Sequence, residues 1–359
     1  MEPQRLKQFL RDLYLKRGFK KEYADVCAWH TTLAEEWSVK THGINLLEWY
    51  MDTIDKKCIN VNPDIKTEKI NNNFYLLDAD RAHGQIGTEL AARKIIEVLD
   101  SDESSVCIVG IKNSNHFGMA GAPTYTISKA GYIGILISST PPIIAPVGGA
   151  EKAVGSNPIS VGFPIGDGEP IIFDASLSVN ALNKIVVSQN ENKPIPDHSY
   201  LNVDGVFTTD INEIKAHKLA APLGGYVETS GHKGFGLAFV TELLTTCLIG
   251  GLTSEQLFTW NRDVKGPAAE AHIVIGLKQD IYREKGLIEN EVRALLAFIK
   301  SRKKVKGVDE ILVPGEDRYQ SKKKATIHNL DLRDWQIDIL RRLAEKYNIH
   351  PIGSGPVKE

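Results

Sequence analysis

Val106-Cys107-Ile108-Val109-Gly110-Ile111 runs through Lys112 into Asn113-Ser114-Asn115-His116-Phe117-Gly118. A β-branched apolar run that stops at small polar residues, a histidine and a glycine predicts a strand delivering its C-terminal end to a site. Met119–Ala122 and Tyr125–Ala130 behind it have helical character. The junction is therefore strand, polar loop, helix. Such a junction exposes backbone N–H groups and a helix N-terminus, both suited to an anionic ligand. The plainer alternative is a histidine satisfied within an ordinary turn.

Outward from this junction, strands are predicted at 132–138, 159–164 and 171–174, punctuated by Pro141-Pro142 and Val147-Gly148-Gly149. A short strand is expected over Asn72–Leu77 and another over His272–Gly276. Helical spacing governs the first fifty residues, through Leu6, Phe9, Leu10, Leu13 and Tyr14, then Tyr23, Val26, Trp29 and Leu33. It returns over Gly87–Leu99, about 288–300 and Leu332–Tyr347. Helical ends around a strand-rich middle predict two lobes, in which the N- and C-terminal helices could pack together and leave the middle as an inserted α/β domain.

A length of 359 residues exceeds one simple core, in keeping with two lobes. A net charge of −2 gives no basic footprint for nucleic acid. The runs Arg302–Lys306 and Lys322–Lys324 are predicted as solvated loops. Cys27, Cys58, Cys107 and Cys247 lack any C-x-x-C spacing, and Cys107 and Cys247 sit in apolar runs as buried thiols do, so a reducing cytoplasm is expected. Met1–Arg5 lacks an apolar signal core. Phe235–Leu252 contains Glu242 and reads as a buried helix, with no membrane span expected.

No G-x-G-x-x-G follows a strand, so the Rossmann fingerprint is absent. Gly231-His232-Lys233-Gly234-Phe235-Gly236 orders its glycines differently but opens an apolar helix, offering N–H groups and a lysine to a phosphate, or serving simply as a helix start. Thr41-His42-Gly43 supplies a histidine suited to acid–base work beside a hydroxyl. Gly155-Ser156-Asn157-Pro158 precedes one strand, and Phe173-Asp174-Ala175-Ser176 ends another, with Lys184 ten residues after Asp174. Asp174 could accept from a ribose hydroxyl or cap a helix. Pro314-Gly315-Glu316-Asp317-Arg318 is a turn that could bring Arg318 to a phosphate. No histidine–carboxylate spacing suggests a metal site.

Taken in order, these segments, with Ala145–Gly149, Pro222–Gly225 and Val308–Glu316, resemble the non-Rossmann malate/L-lactate dehydrogenase family. That family includes ureidoglycolate, sulfolactate and 2,3-diketo-L-gulonate dehydrogenases and Δ1-piperideine-2-carboxylate reductases. The resemblance implies an α/β (α+β) fold with a helical domain from both termini (1–75 and 320–359) and an NAD(P)-binding α/β domain (76–319), in a homodimer acting on a small-molecule substrate with NADH or NADPH, the active site lying between the domains. It implies His42 as proton donor with Thr41 assisting. His116, Phe117, Gly118, Met119 and Ala120 would line the cofactor site. Asp174, Ala175, Ser176, His232 and Lys233 would contact the cofactor, and the loop carrying Pro314, Gly315 and Arg318 would close over it. Ser156 and Lys184 would lie by the substrate.

One position departs. The family pattern S-H-G-x-x-R-L places an arginine on the substrate carboxylate, whereas Thr41-His42-Gly43-Ile44-Asn45-Leu46-Leu47 carries Leu46 there. A charge-assisted grip of that kind contributes about 1.5–3 kcal/mol. Val179–Asn183 also lacks the basic residue and glycine found before the family lysine. The implied activity is hydride transfer to a C=O or C=N bond with altered specificity. A cyclic imine reductase and a non-catalytic cofactor-binding relative are the alternatives.

Overall fold

The computed structural model describes residues 1–257 and 269–351. In chain order the elements are α1 (Pro3–Lys16), α2 (Lys21–Glu36), α3 (Leu47–Asp55), β1 (Lys66–Lys69), β2 (Phe74–Asp78), α4 (Gly84–Asp100), β3 (Val106–Ser114), α5 (Gly121–Lys129), β4 (Ile133–Ser138), β5 (Pro142–Ile144), β6 (Val154–Gly155), β7 (Ile159–Phe163) and β8 (Ile171–Ala175). Then come α6 (Asn183–Asn190), β9 (Tyr200–Leu201), β10 (Phe207–Thr208), α7 (Ile211–His217), β11 (Leu219–Ala220), α8 (Gly231–Glu242), β12 (Glu270–Leu277), α9 (Lys285–Lys300), α10 (Glu316–His328) and α11 (Asp334–Tyr347).

Seven strands form one sheet in the order β1-β2-β3-β12-β4-β7-β8. Only the β2–β3 pair is parallel. The doubly wound parallel sheet of a Rossmann domain is thus replaced by a largely antiparallel one. The late strand β12 lies in the middle, Val274 opposite both Val109 of β3 and Leu136 of β4. Helices α4 and α5 cover one face. Five short strands form a second sheet, β10-β9-β11-β5-β6.

The apolar stripe of α1 (Leu6, Phe9, Leu10, Leu13, Tyr14) is buried against α2, and α11 packs on α1 and α3 through Ile339, Leu340 and Leu343. The ends of this bundle are tied: the Met1 ammonium donates to Leu330 O at 3.0 Å, and Leu330 N–H donates to Met1 O at 2.7 Å. One core runs from these helices into the sheet through Leu77, Val109, Ile111, Leu136 and Val274.

Three expectations are corrected: a buried helix over Phe235–Leu252, a buried Cys247 and a loop at Lys322–Lys324. The Phe235–Leu252 segment is not a buried helix. It begins within α8 and continues from Leu243 to Leu248 as a wider π-type turn. Its inner side buries small or polar residues such as Ala238, Thr241 and Thr245, while Leu237, Phe239, Val240, Leu244 and Leu248 are exposed, as is Cys247. Hydropathy counted the apolar residues without revealing that they face outward. Lys322–Lys324 lies on α10 instead of in a loop, with Lys322 donating to the Tyr125 hydroxyl at 2.9 Å and paired with Glu169. No helix among the described residues is long and apolar enough to cross a membrane.

Candidate active site

The Thr41-His42-Gly43 segment links the end of α2 to a 3₁₀ turn, Ile44–Leu46, that leads into α3. His42 N–H donates to Val39 O at 2.9 Å, which fixes the bend. Thr41 Oγ1 lies 2.8 Å from His42 Nδ1. The β3 strand ends beside this segment, and the His42 and His116 rings stack with centroids 6.0 Å apart and planes 19° from parallel.

His116 is set by two donors. The Tyr50 hydroxyl of α3 lies 2.7 Å from its Nδ1, and Gly118 N–H donates to the same atom at 3.4 Å. An atom that accepts an N–H carries no proton of its own, so neutral His116 bears its hydrogen on Nε2. Burial, then the neighbouring His42, His83 and His272, hold its pKa well below the ordinary imidazole value. His42 is also lowered, first by burial and then by the Arg318 cation, while Asp174 works the other way.

Asp174, at the end of β8, takes the place that the sequence left open to a ligand. Its Oδ2 accepts Gly121 N–H at 2.9 Å, so the N-terminus of α5 already holds a carboxylate. Arg318, in the first turn of α10, donates to the same oxygen at 3.3 Å and to Asp174 O at 3.2 Å, with its guanidinium 5.4 Å from the Trp37 ring centroid. A Cβ on Gly121 would stand 2.8 Å from Arg318 Nη1, so a larger residue there would push the guanidinium aside. Pro314 and Gly315 fasten the preceding loop: Ile172 N–H donates to Pro314 O at 3.3 Å, and Gly315 caps α10.

The remaining expected residues are placed as follows. The Phe117 ring is buried in the main core against His272, and Met119 and Ala120 are likewise buried, so these three offer backbone more than side chain. Ala175 ends β8, and Ser176 Oγ lies 3.1 Å from Ser178 Oγ. His232 and Lys233 are exposed at the start of α8. The turn uses two of its own N–H groups, Gly231 to Tyr226 O and Lys233 to Ser230 O, so the side chains carry what it offers an anion. Ser156 Oγ lies 3.3 Å from Thr140 Oγ1. Lys184 is exposed on the first turn of α6. Leu46 is 3% exposed and part of the main core.

Sequence reasoning missed Tyr50, Glu35 and the polar cluster under Ser156. There Asn157 Nδ2 donates to Glu242 Oε2 at 3.3 Å, and Ser254 N–H donates to Glu242 Oε1 at 2.6 Å. Glu242, an acid within an apolar run, was the available signal. Tyr50 falls on the same helical stripe as Leu47, Met51 and Ile54, where a tyrosine cannot be told from core.

A profile of the family described as Malate/L-lactate dehydrogenase matches residues 1–340. The chain belongs to the malate/L-lactate dehydrogenase family. It is thus a pyridine-nucleotide-dependent oxidoreductase acting on a small molecule. The malate dehydrogenase of Pyrococcus horikoshii is 30% identical over 87% of this chain and 85% of that one. The NAD(+)-dependent ureidoglycolate dehydrogenase of Escherichia coli K12 is 26% identical over 92% of this chain and 91% of its own length. The crystal structure of malate dehydrogenase from Entamoeba histolytica shares the fold, with a TM-score of 0.91 at 23% identity, covering 98% of each chain.

The family's nicotinamide nucleotide suits the donors present. Two histidines side by side, one fixed as a neutral donor, suit an uncharged carboxamide and a reacting carbonyl. The exposed His232 and Lys233 at a helix start suit phosphates.

Proposed function

We propose that this enzyme interconverts a small hydroxy compound and its carbonyl with His42 exchanging the proton, or, as a second reading, an amine and its imine. The observation that carries this reading is the stacked His42–His116 pair beside Asp174 and Arg318. When bound, the nucleotide would supply the hydride as NADH or NADPH and take it back in its oxidised form. With His42 protonated, Thr41 Oγ1 would accept the His42 Nδ1–H, leaving Nε2 to give a proton to the developing oxyanion and to take it back in the reverse direction. His116 presents its Nε2–H as a neutral donor on the same wall. Residues 116–120 would border the nicotinamide, Asp174, Ala175 and Ser176 the nucleotide, and His232 and Lys233 its phosphates. Pro314, Gly315 and Arg318 would close over the nucleotide. Ser156 and Lys184 would flank the substrate.

Leu46 sets the specificity. With no guanidinium at that position, the usual 2-oxo or 2-hydroxy acid loses one charge-assisted contact. The depressed pKa of His42 favours the imine as second reading, because a protonated imine brings its own proton and needs no acid from the protein.

The outward apolar residues of α8 and its extension support a homodimer, since a monomer seldom exposes a contiguous patch of that kind. The packing of α1, α2, α3 and α11 supports a helical domain built from both termini (1–75 and 320–359) against a nucleotide domain (76–319), except that β1 and β2 join β3 in the large sheet and so go with the nucleotide domain. Buried, unpaired Cys27, Cys58 and Cys107 support a reducing, cytoplasmic setting.

The test is a thermal-shift titration with NADH and NADPH, followed by turnover of pyruvate, oxaloacetate and Δ1-piperideine-2-carboxylate. No shift with either nucleotide at millimolar concentration would sink the reading. Full activity of His42→Ala would remove His42 from it.

A further inference from the structure

We propose that Glu35 and Gln336 form a carboxylate–amide clamp that sets the position of His42, which makes both of them positioning residues for proton transfer. The proposal rests on the role given to His42 above.

Glu35 lies in the last turn of α2, 7% exposed. Its two oxygens face opposite ways. Oε1 accepts Ile44 N–H at 2.7 Å, two residues past His42. Oε2 accepts Gln336 Nε2–H at 2.8 Å. Gln336 is fully buried in the first turn of α11, and its Oε1 accepts Arg333 N–H at 3.0 Å, which fixes the amide with its nitrogen toward Glu35. The loop is also shaped around the carboxylate. A Cβ on Gly43 would lie 2.0 Å from Glu35 Oε1, and Gly43 has φ −99° and ψ −131°. His42 is thus held on one side by its own N–H on Val39 O, and on the other by a glycine pressed to a carboxylate and an amide bonded to it.

Stability alone does not call for this arrangement. Well-packed apolar residues often replace a buried charge at no loss. What a carboxylate supplies here is two acceptors, one for the loop and one for a helix 301 residues away in sequence. The site side of His42 meets Asp174 from β8, Arg318 from α10 and His116 from the end of β3. The clamp decides how far the ring reaches toward those groups.

The test reverses the polarity of the clamp. Glu35→Gln turns an N–H toward one of the two donors. Gln336→Glu sets two carboxylates face to face. In the double variant the new glutamine's oxygen accepts Ile44 N–H, its nitrogen donates to the new glutamate, and that glutamate still accepts Arg333 N–H. Two quantities are read: the NMR titration midpoint of His42 in nucleotide-free protein, and kcat and KM with nucleotide. Each single variant should admit water to the loop and raise the His42 midpoint toward its ordinary value. Each should lower kcat about ten- to a hundredfold, the scale of small misplacements, with KM for nucleotide unchanged. The double variant should recover both.

Single variants that lose thermal stability but keep the His42 midpoint and kcat would overturn the clamp. So would a folded double variant that recovers neither. A midpoint that moves while kcat does not would keep the clamp and overturn the proton-transfer role of His42. Should a single variant not fold, Glu35→Asp keeps the charge and withdraws it by one methylene. It should raise the His42 midpoint, and an unchanged midpoint there would overturn the clamp.

Discussion

His42 and His116 lie face to face at 6.0 Å, and only one of them is free to titrate as an acid. His116 has its Nδ1 engaged by Tyr50 and Gly118 and is held neutral. A second positive charge beside a protonated His42 would be repelled, so His42 is the member of the pair left to take up a proton, as the proposed reaction requires.

Replacing His42 with glutamine should lower kcat about 10²–10⁴-fold, the usual range for a lost general acid–base. The melting temperature should stay close to that of the parent, because the ring is only partly buried at the surface of the site. Steady-state kinetics beside a thermal melt checks this. A loss below tenfold would remove His42 from the chemical step.

Asp174 and Arg318 should move the pH profile in opposite directions. The proposed reduction uses a protonated His42, whose pKa lies below the ordinary 6.5, so the reduction rate should fall as pH rises through a midpoint below that value. Asp174 raises the His42 pKa, and Asp174→Asn should shift the midpoint lower still. Arg318 lowers it, and Arg318→Gln should shift the midpoint up. The asparagine variant also removes the carboxylate paired with Arg318, which keeps its bond to the backbone O of residue 174, so the melting temperature should fall. Parallel pH–rate profiles and melts test both effects.

Leu46→Arg should lower KM for pyruvate or oxaloacetate about tenfold or more, the value of a charge-assisted contact. It should also lower the melting temperature, because Leu46 is 3% exposed within the core. A folded variant with unchanged KM for every 2-oxo acid would show that the missing arginine does not set specificity.

Sedimentation should give a dimer for the parent chain. Leu248→Glu, at a position 69% exposed, should shift it to monomer without lowering helix content. A parent monomer at micromolar concentration would refute the assembly.

What was legible in the sequence follows from length and period. The β3 strand and α4 carry enough apolar residues to show their spacing. β1 is a four-residue edge strand, Lys66-Thr67-Glu68-Lys69, exposed throughout and without an apolar face to betray it. The strands of the second sheet are two or three residues long, too short for alternation to register. α10 buries only Ala325 and so carries no stripe. In the candidate site, the ordered segments pointed to His42, His116 and Asp174, which the fold brings together. The capture of the α5 N-terminus by Asp174 is a contact 53 residues long, which no local pattern encodes. The Glu35–Gln336 contact is longer still, and an acid on a helix face reads as solvated until its partner is seen.

The position of β12 has a consequence for how the chain is made. β3 and β4 are not neighbours; β12 separates them, pairing with both along its length. On a ribosome, everything up to residue 269 emerges while the sheet is still in two halves, each with a bare edge in its middle. Closure is therefore a late, single event in which one eight-residue strand joins the halves, and a truncation that stops short of Glu270 leaves two sticky edges where the full chain has none.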